Sequence, residues 1–418
     1  MSDCIMLTMD QLRVGLYIYL DLKWFDQPFA FGHFRIKSEE QIAVIRSLGL
    51  VQIRYSPALS SATPAAPASV QAQAQVTPDI APALAAKSAM IARIAQQRAA
   101  SARINEAFSA TARTIRAIDQ NLFARPHESV QQAGALVQQI AESILSEPEL
   151  AIHVMGDTHG AEELYLHSLN VTVLSMMMAR DIGLPPPLVA ALGMGTLFHD
   201  VGKREIPDRL FRDAATLTQA ERTLCELHPT YGVDIGRRLK LSAPVLAIIS
   251  EHHEHADGSG YPGKLKGEAI GLLSRIVAIA NHYDELCNPV NLATALTPHE
   301  TLALMFAKLR AKFDPKILQL FIRCLGVYPP GTIVQLSNGV IGMITTVNTG
   351  KPMKPMIMIY DADVPKDAAI LVDMEHEIDV NIAKAVRPAQ VPREVYDYLN
   401  PRKRVSYYFD AGKSAAAP

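Results

Sequence analysis

Histidine and carboxylate side chains concentrate in the middle of the chain, at spacings that suit metal ligands. Ten of the thirteen histidines lie between residues 153 and 299. Glu163 and His167 are four residues apart, a spacing that points both side chains from the same face of a helix. Adjacent residues diverge by about 100° around a helix, so the pair His199-Asp200 can serve two different ions.

More such groups fall near the ends of other predicted helices. His228 precedes a proline, which disfavours α geometry and predicts a helix end there. His252 and His253 close an apolar helix, and Asn281 and Asp284 share a face of the next one. A lone histidine on an apolar face is more often a core residue, but burying the whole set without metal would cost on the order of several kcal/mol. We therefore predict a centre for two or three divalent transition ions, with carboxylate oxygens as bridges.

Two further features indicate what such ions would act on. Lys203 follows His199-Asp200 by about one helical turn, where its ammonium could lie over an anionic group. The segment after His252 runs into a glycine-rich loop in which Gly260 permits close backbone approach and Tyr261 could stack on a base. Taken singly, such a lysine is usually solvated and such a loop is usually a simple turn.

The segment that must position these groups has the period of helices. Between about Val130 and Leu325 the apolar residues recur at helical spacing, which predicts an all-α domain. Gly183 and Gly202 are predicted helix ends. Helix starts are predicted at the capping boxes that begin with Thr218 and Thr297.

The rest of the chain divides by composition and pattern. Residues 1–55 predict a small α+β module, and residues 56–86, rich in Ala and Pro, predict a linker. Residues 87–125 predict one long helix or two joined helices, which could connect domains or form a homodimer. The helical domain is predicted over residues 126–328.

The C-terminal region changes to the alternating pattern of strands. Residues 329–408 predict a small β-rich module with a hairpin at Asn338-Gly339, and residues 409–418 predict a loose tail. The predicted fold is thus multidomain and mainly α, with an all-α helical bundle core between a small N-terminal α+β module and a small C-terminal β module.

Composition excludes several classes of protein. The 418 residues are 49% hydrophobic and 20% charged, as in globular domains, and the net charge of -2 gives no basic field for a nucleic acid polymer. Four cysteines without a CxxC spacing favour a reducing, cytoplasmic setting. The charge-free stretch at residues 182–198 is too short for a membrane span.

These motifs resemble the HD-GYP domains, bacterial relatives of the HD metallophosphohydrolases. The resemblance extends over about residues 152–325, and residues 1–55 resemble a domain of unknown function often fused to HD-GYP domains. Its motifs are His199-Asp200 with Lys203, His252-His253-Glu254, Asp257-Gly-Ser-Gly-Tyr-Pro262, and Arg275-Ile-Val-Ala-Ile-Ala280 before Asp284.

The resemblance implies an HD-type helical fold, two or three iron or manganese ions, and hydrolysis of cyclic di-GMP to pGpG and GMP. It implies a bridging and catalytic role for Asp200 and contact of Lys203 with the scissile phosphate. It also implies substrate contacts at Gly260, Tyr261, Pro262, Arg275 and Asp284. The implied metal ligands are Glu163, which is typical of a three-metal subgroup, His167, His199, Asp200, His228, His252, His253 and Asn281.

Two departures from the family pattern predict reduced activity. Asn281 stands where the family usually has an aspartate, so an anionic ligand is replaced by a neutral amide. The family's Arg-Pro-Tyr-Arg stretch is absent, and the chain reads Cys-Asn-Pro-Val-Asn-Leu at residues 287–292. Two alternatives follow: a regulatory module that senses cyclic di-GMP or binds a GGDEF-type partner without hydrolysis, and an HD-type hydrolase of another nucleotide.

Overall fold

The computed structural model of the chain describes most of its length. The described residues are 5–22, 27, 29, 31–66, 81–146, 151–154, 163–212, 216–348, 350–362, 364–366, 369–375, 377, 380–399 and 405–409. Within these ranges no helix combines the length and the apolar character that a membrane crossing needs. The fold is mainly helical, with one small sheet near each end, as the sequence predicts.

The N-terminal module is a four-stranded antiparallel sheet with one helix. Its strands are β1 (Ile5–Thr8), β2 (Tyr17–Tyr19), β3 (His33–Arg35) and β4 (Gln52–Ser56), in the order β1-β4-β2-β3. Helix α1 (Glu39–Ser47) begins after Ser38, whose side chain accepts a hydrogen bond from the backbone N–H of Gln41. The predicted α+β character of this module is confirmed.

Residues 57–66 make hydrogen bonds with the N-terminal module, and helix resumes at Ala81, so both ends of the predicted linker over residues 56–86 differ from that prediction. The backbone N–H of Tyr17 donates to the Ser60 hydroxyl at 2.8 Å, and that of Ala65 donates to the Gln11 carbonyl at 3.0 Å. These hydrogen bonds hold residues 57–66 against the N-terminal sheet. They also replace the contacts with water that buried backbone groups lose. Helix begins again at Ala81, and residues 67–80 lie outside the described ranges.

Two long helices lead into the helical domain. Helix α2 (Ala81–Asn121) is a single helix of 41 residues, and α3 (Pro126–Ser146) follows it. The apolar stripe of α2 from Ile104 to Ile118 is buried in the same core as α3 and the domain behind it. At the C-terminal end of α2, the Arg204 guanidinium pairs with the Asp119 carboxylate at 2.5 Å.

The helical domain is built around a central helix. Helix α4 packs against α5, α10 and α12, and its residues from Leu169 to Ala179 are buried on nearly every side. Both predicted capping boxes are confirmed, at Thr218 and at Thr297. The helices are α4 (Glu163–Ile182), α5 (Pro186–Phe198), α6 (Arg209–Arg212), α7 (Gln219–Cys225), α8 (His228–Arg238), α9 (Ala243–Glu251), α10 (Leu272–Cys287), α11 (Pro298–Ala307) and α12 (Pro315–Leu325).

The second sheet joins the strands of the C-terminal region to one strand, β5, from before the helical domain. The predicted hairpin is confirmed, with Gly339 at φ 88° in its turn. Strand β11 pairs with β5, and β5 pairs with β7, so the sheet reaches the helical domain. Its strands are β5 (Ala151–Val154), β6 (Ile333–Leu336), β7 (Ile341–Asn348), β8 (Met356–Ile359), β9 (Ile370–Asp373), β10 (Ile382–Ala385) and β11 (Tyr407–Phe409), with α13 (Arg393–Leu399) alongside.

The participation of β5 and β11 was not predicted. The predicted loose tail begins at residue 409, but Phe409 belongs to β11 and pairs with Ile152. Both strands are short, and their partners lie far away in sequence, so no local alternation pattern marks them. The remainder of the predicted tail, residues 410–418, lies outside the described ranges.

Candidate metal centre

The His199-Asp200 pair is positioned by a sharp exit from α5. His199 is the C-terminal cap of that helix, and the turn after Asp200 packs against the first turn of α8. A Cβ atom on Gly202 would lie 1.9 Å from the His228 carbonyl oxygen and 2.4 Å from the Gly232 nitrogen. Only glycine permits this approach, which brings Asp200 beside His228.

The remaining imidazoles come from helix ends that converge on the same place. His228 is the first residue of α8, which confirms the predicted helix end. His252 is the C-terminal cap of α9, and His253 follows it. His167 lies on the first turns of α4. The structure therefore brings together six of the predicted ligands: His167, His199, Asp200, His228, His252 and His253.

The six side chains form two groups that share one carboxylate. In the first group, His167 Nε2 and His199 Nε2 are 3.2 Å apart and lie 3.7 and 3.5 Å from Asp200 Oδ2. In the second, His228 Nε2 and His252 Nε2 are 3.1 Å apart and lie 3.4 and 3.7 Å from Asp200 Oδ1, with His253 nearby. Each oxygen of Asp200 thus faces its own pair of imidazoles.

Hydrogen bonds at the far side of each ring set the tautomer. Nδ1–H of His199, His228 and His252 donates to the backbone carbonyls of Thr196, Cys225 and Ile249, at 2.7, 2.8 and 2.9 Å. The Nδ1–H of His167 donates instead to Asp284 Oδ2 at 2.6 Å. In all four residues the Nε2 lone pair is left to face the centre, as in metal-bound histidines.

Burial keeps most of these rings neutral. It lowers the pKa of His199 to about 3, and it lowers the pKa of His252 and, further, of His253. Burial acts in the same direction on His167, but the hydrogen bond and charge of Asp284 outweigh it and raise the pKa of that ring. Burial opposes ionisation of Asp200, yet the Lys203 ammonium and His199 hold its pKa well below the usual range.

The arrangement fits divalent cations. Asp200 Oδ1 is buried and makes no hydrogen bond among the described residues. Two neutral Nε2 lone pairs about 3 Å apart repel each other unless a cation lies between them, and ligands roughly 2.1 Å from a common ion stand at about that separation. A cation at each group would satisfy the orphaned oxygen and both pairs of nitrogens, and Asp200 would bridge the two.

Lys203 is bound to the same carboxylate. Its Nζ donates to Asp200 Oδ2 at 2.6 Å, and it lies 5.5 Å from the centroid of the Phe211 ring. The ammonium therefore lies beside the first group, next to the Asp200 oxygen that faces His167 and His199.

The glycine-rich loop folds back over the second group. The Tyr261 ring stacks on His253, with centroids 4.6 Å apart and planes 21° from parallel. A Cβ on Gly260 would approach the His253 carbonyl oxygen to 2.4 Å, so glycine is required there. The buried Glu254 carboxylate accepts hydrogen bonds from the backbone N–H groups of Gly263 and Leu265 and holds the loop, a role that the sequence analysis missed. Pro262 follows Tyr261 and is exposed.

Asp284 lies behind the centre and does not face a substrate cavity. It is 1% exposed, and besides His167 it accepts hydrogen bonds at Oδ1 from the side-chain amides of Asn170 and Asn288, at 2.7 and 2.8 Å. This placement differs from the predicted substrate contact. Asn281 and Asp284 lie three residues apart and share a broad face, so helical period alone does not separate a residue at the centre from one behind it.

Asn281 lies one turn before a carboxylate that the sequence analysis did not single out. Its Nδ2–H donates to Glu285 Oε1 at 3.2 Å, while its buried Oδ1 has no hydrogen-bond partner among the described residues. Burial raises the pKa of Glu285, against the opposing charges of Lys203 and His167. Glu285 therefore belongs to the electrostatic surroundings of the centre.

One predicted site residue lies away from the cluster, and the side chain of another is not described. Arg275 donates to Asp314 Oδ2 at 2.6 Å, and Asp314 also caps α12, so this ion pair ties two helices together. That position differs from the predicted substrate contact. Glu163 is the first residue of α4, and its side chain lies outside the described part of the structure.

Three family models match the chain in succession. Residues 5–152 match a domain of unknown function (DUF3391), residues 131–317 match an HD domain, and residues 333–394 match a KOW domain associated with HD domains. The HD match spans all six clustered ligands.

Curated relatives include several phosphodiesterases. A cyclic di-GMP phosphodiesterase of Pseudomonas aeruginosa is 28% identical over 418 aligned residues, which cover 96% of this chain and 97% of that one. A cyclic di-GMP phosphodiesterase response regulator of Xanthomonas campestris pv. campestris is 34% identical over 35% of this chain and 39% of its own length. A 3'3'-cGAMP-specific phosphodiesterase of Vibrio cholerae is 30% identical over 39% of this chain and 31% of its own length.

Proposed function

The chain belongs to the HD-GYP family of HD-domain proteins, and from that premise we propose that it is a metal-dependent phosphodiesterase that hydrolyses cyclic di-GMP. Water adds across one phosphodiester bond to open the ring and give linear pGpG, and a second hydrolysis gives GMP. The full-length likeness to the Pseudomonas aeruginosa enzyme supports this assignment for the whole chain.

The observation that carries the proposal is the shared carboxylate. Asp200 presents one oxygen to each pair of imidazoles, and its Oδ1 lacks any hydrogen-bond donor among the described residues. Such a site suits two divalent ions, which when bound would supply Lewis-acid chemistry and lower the pKa of water. We propose iron or manganese, since the donors mix imidazole nitrogen with carboxylate oxygen.

The chain's own residues then have separate tasks. His167 and His199 would hold one ion, and His228, His252 and His253 would hold the other, with Asp200 between them as the bridging catalytic residue. A third ion with Glu163 as its extra carboxylate ligand stays a prediction, and so does coordination of an ion by Asn281.

Substrate binding would fall to the groups at the edge of the centre. Lys203 would place its ammonium against the scissile phosphate, and Tyr261 offers an aromatic face to a guanine base. Gly260 and Pro262 would shape the loop around Tyr261. The lost anionic group at Asn281 and the absent arginines predict slower turnover than in relatives that keep them.

The test combines metal analysis with turnover. Anaerobically purified protein is expected to contain about two equivalents of iron or manganese and to release pGpG from cyclic di-GMP, faster than it opens 3'3'-cGAMP. A chelator should abolish hydrolysis, and Mn²⁺ should restore it. His252→Asn should lose activity, whereas His299→Asn, at a half-buried histidine outside the cluster whose Nδ1–H donates to the Val327 carbonyl, should keep it.

Other outcomes would select the other readings. Less than one metal ion per chain together with no product would remove the enzymatic function. Binding of cyclic di-GMP without hydrolysis, measured by calorimetry, would identify a regulatory module, and faster opening of 3'3'-cGAMP would identify a different nucleotide substrate.

The remaining proposals concern the location of the protein and its partners. The described cysteines Cys225, Cys287 and Cys324 are free thiols, which supports a reducing, cytoplasmic setting. Binding of a GGDEF-type protein and a homodimer through residues 87–125 stay predictions. For the homodimer, the apolar stripe of α2 from Ile104 to Ile118 is already buried within the chain's own core and is not available to a second copy.

A further inference from the structure

A segment far along the chain is built into the wall behind the candidate metal centre. Residues Val405 to Tyr408 are all buried, and they lie between α2, α4 and α10 of the helical domain. The Tyr407 hydroxyl hydrogen-bonds to the Tyr283 hydroxyl at 2.8 Å, and the Tyr408 hydroxyl to that of Thr111 at 2.9 Å. We call residues 405–408 the C-terminal clamp.

Two asparagines connect the clamp to Asp284. Asn288 donates from Nδ2 to Asp284 Oδ1 and to the Val405 carbonyl, and its Oδ1 accepts the Val405 N–H at 2.7 Å. Asn170 also donates from Nδ2 to the same two oxygens, and its Oδ1 accepts the Tyr407 N–H at 3.0 Å. A reversed amide would set oxygen against oxygen, so the network has one arrangement.

Asp284 links this hydrogen-bond network to His167. Its Oδ1 is occupied by the two amides, and its Oδ2 accepts the Nδ1–H of His167 at 2.6 Å. The bond fixes both the orientation of the ring and the nitrogen that faces Asp200. His199, His228 and His252 each use a backbone carbonyl three residues earlier in the chain, so His167 depends on a distant segment in a way that they do not.

We propose that Asn170, Asn288 and the C-terminal clamp are positioning residues for the ion held by His167, so that docking of the clamp and binding of that ion favour each other. This inference rests on the proposed metal-dependent function. Because such coupling is reciprocal, the ion should hold the clamp in place as much as the clamp improves the affinity for the ion.

The network also accounts for one departure from the family pattern. Asn288 stands in the stretch where the family's arginines are absent, at the C-terminal end of α10. In this chain Asn288 donates a hydrogen bond to Asp284, which in turn accepts the Nδ1–H of His167. Removing the hydrogen-bond partner of a metal-binding histidine typically lowers metal affinity by about 10–100-fold.

The test compares two variants that each remove hydrogen bonds to the clamp. Asn288→Ala removes the bonds to both Asp284 and Val405, and it should weaken one of two Mn²⁺ binding steps, measured by calorimetry on the full chain, by about 10-fold or more. Thr111→Val is the matched control, because it removes a buried bond to Tyr408 but leaves every partner of Asp284 in place. It should weaken Mn²⁺ binding much less than Asn288→Ala does, because the clamp loses one bond that is remote from Asp284.

A second measurement needs no variant. Hydrogen exchange of the backbone amides at residues 405–409 should slow when Mn²⁺ is added to the wild-type chain, and this slowing should be absent in Asn288→Ala. Equal Mn²⁺ binding by Asn288→Ala and Thr111→Val, or no effect of Mn²⁺ on exchange in a wild-type chain that binds the metal, would overturn the inference.

The two proposals can fail separately. A chain that hydrolyses cyclic di-GMP with Mn²⁺ but shows no clamp effect would refute only the positioning role. A chain whose clamp responds to Mn²⁺ without any hydrolysis would support the positioning role and refute the enzymatic one. A chain that binds no Mn²⁺ would overturn both.

Discussion

Asp200 and Asp284 lie on opposite sides of the same imidazole, yet their surroundings differ. Asp284 Oδ2 is 2.6 Å from His167 Nδ1, and Asp200 Oδ2 is 3.7 Å from His167 Nε2. Asp284 is almost fully buried and every oxygen has a hydrogen-bond donor from the protein. Asp200 is 18% exposed at its side chain, and its Oδ1 has no donor among the described residues.

The difference separates two uses of a buried carboxylate. A carboxylate that receives three N–H bonds is satisfied by the protein and therefore stabilises the fold. A carboxylate that is left with neutral imidazoles and one lysine can still accept cations. The same residue type at nearly the same depth thus belongs to the scaffold in one case and to the candidate reaction centre in the other.

Replacing each aspartate by asparagine should show the difference between the two carboxylates most clearly. Asp200→Asn should lower hydrolysis by about 1,000-fold or more, because transition-state stabilisation by metal is worth several kcal/mol. In metal-free protein it should change the free energy of unfolding by no more than about 1 kcal/mol, since its partner Lys203 is partly exposed. Asp284→Asn should instead lower that free energy by about 2–4 kcal/mol, because buried donors lose their acceptor.

Initial rates and urea unfolding in the presence of chelator would measure both effects. Equal stability losses in the two variants would show that Asp200 is also satisfied by the protein, and the contrast between the two carboxylates would then be wrong.

A smaller effect is expected from restoring an acidic residue at position 281. Asn281→Asp should raise Mn²⁺ affinity and hydrolysis, but the new carboxylate would face Glu285, which now accepts a hydrogen bond from the Asn281 amide. Repulsion between the two should limit the gain. The double variant Asn281→Asp with Glu285→Gln should gain about 10-fold more in affinity, measured by calorimetry, than the single variant. A single variant that matches the double one would show that Glu285 does not act on the centre.

The smallest effect concerns a histidine on α10 that lies outside the cluster. Burial lowers the pKa of His282 from 6.5 to about 4, and its Nε2 has no hydrogen-bond partner among the described residues. Between pH 6.5 and 4 the unfolded chain binds a proton that folded His282 does not, so metal-free stability should fall as pH falls through this window. His282→Phe should reduce this slope in urea unfolding and leave the pH dependence of stability above pH 7 unchanged. An unchanged acid slope would contradict the assignment.

Much of the centre could be predicted because its residues stand at helix ends with local signals. The proline after His228 marks a helix end there, and the apolar helix before His252 ends at that residue. Signals within a few residues are therefore enough to locate both rings at helix termini. The network behind the centre had no such signal. Asn170 and Val405 are 235 residues apart, and nothing local indicates that a helix asparagine and a strand backbone will meet.

Two misplaced residues show the same limit. Arg275 and Asp284 occur in the motif that carries the family resemblance, and the sequence alone does not reveal which side of α10 reaches the centre. Packing decides this, since Arg275 meets Asp314 and Asp284 meets His167 only after α4 and α12 have docked. The short strands β5 and β11 were missed for a related reason, because each is defined by its partner.

The clamp also bears on the order in which the molecule is made. Translation delivers His167, His199, His228 and His252 long before it delivers Val405, which follows Asn170 by 235 residues. A nascent helical domain would thus hold all its imidazoles while Asn170 and Asn288 still lacked their backbone partners. Contacts between such distant positions form late because closing a long loop costs entropy. The wall behind His167 is therefore among the last parts of the protein to be completed.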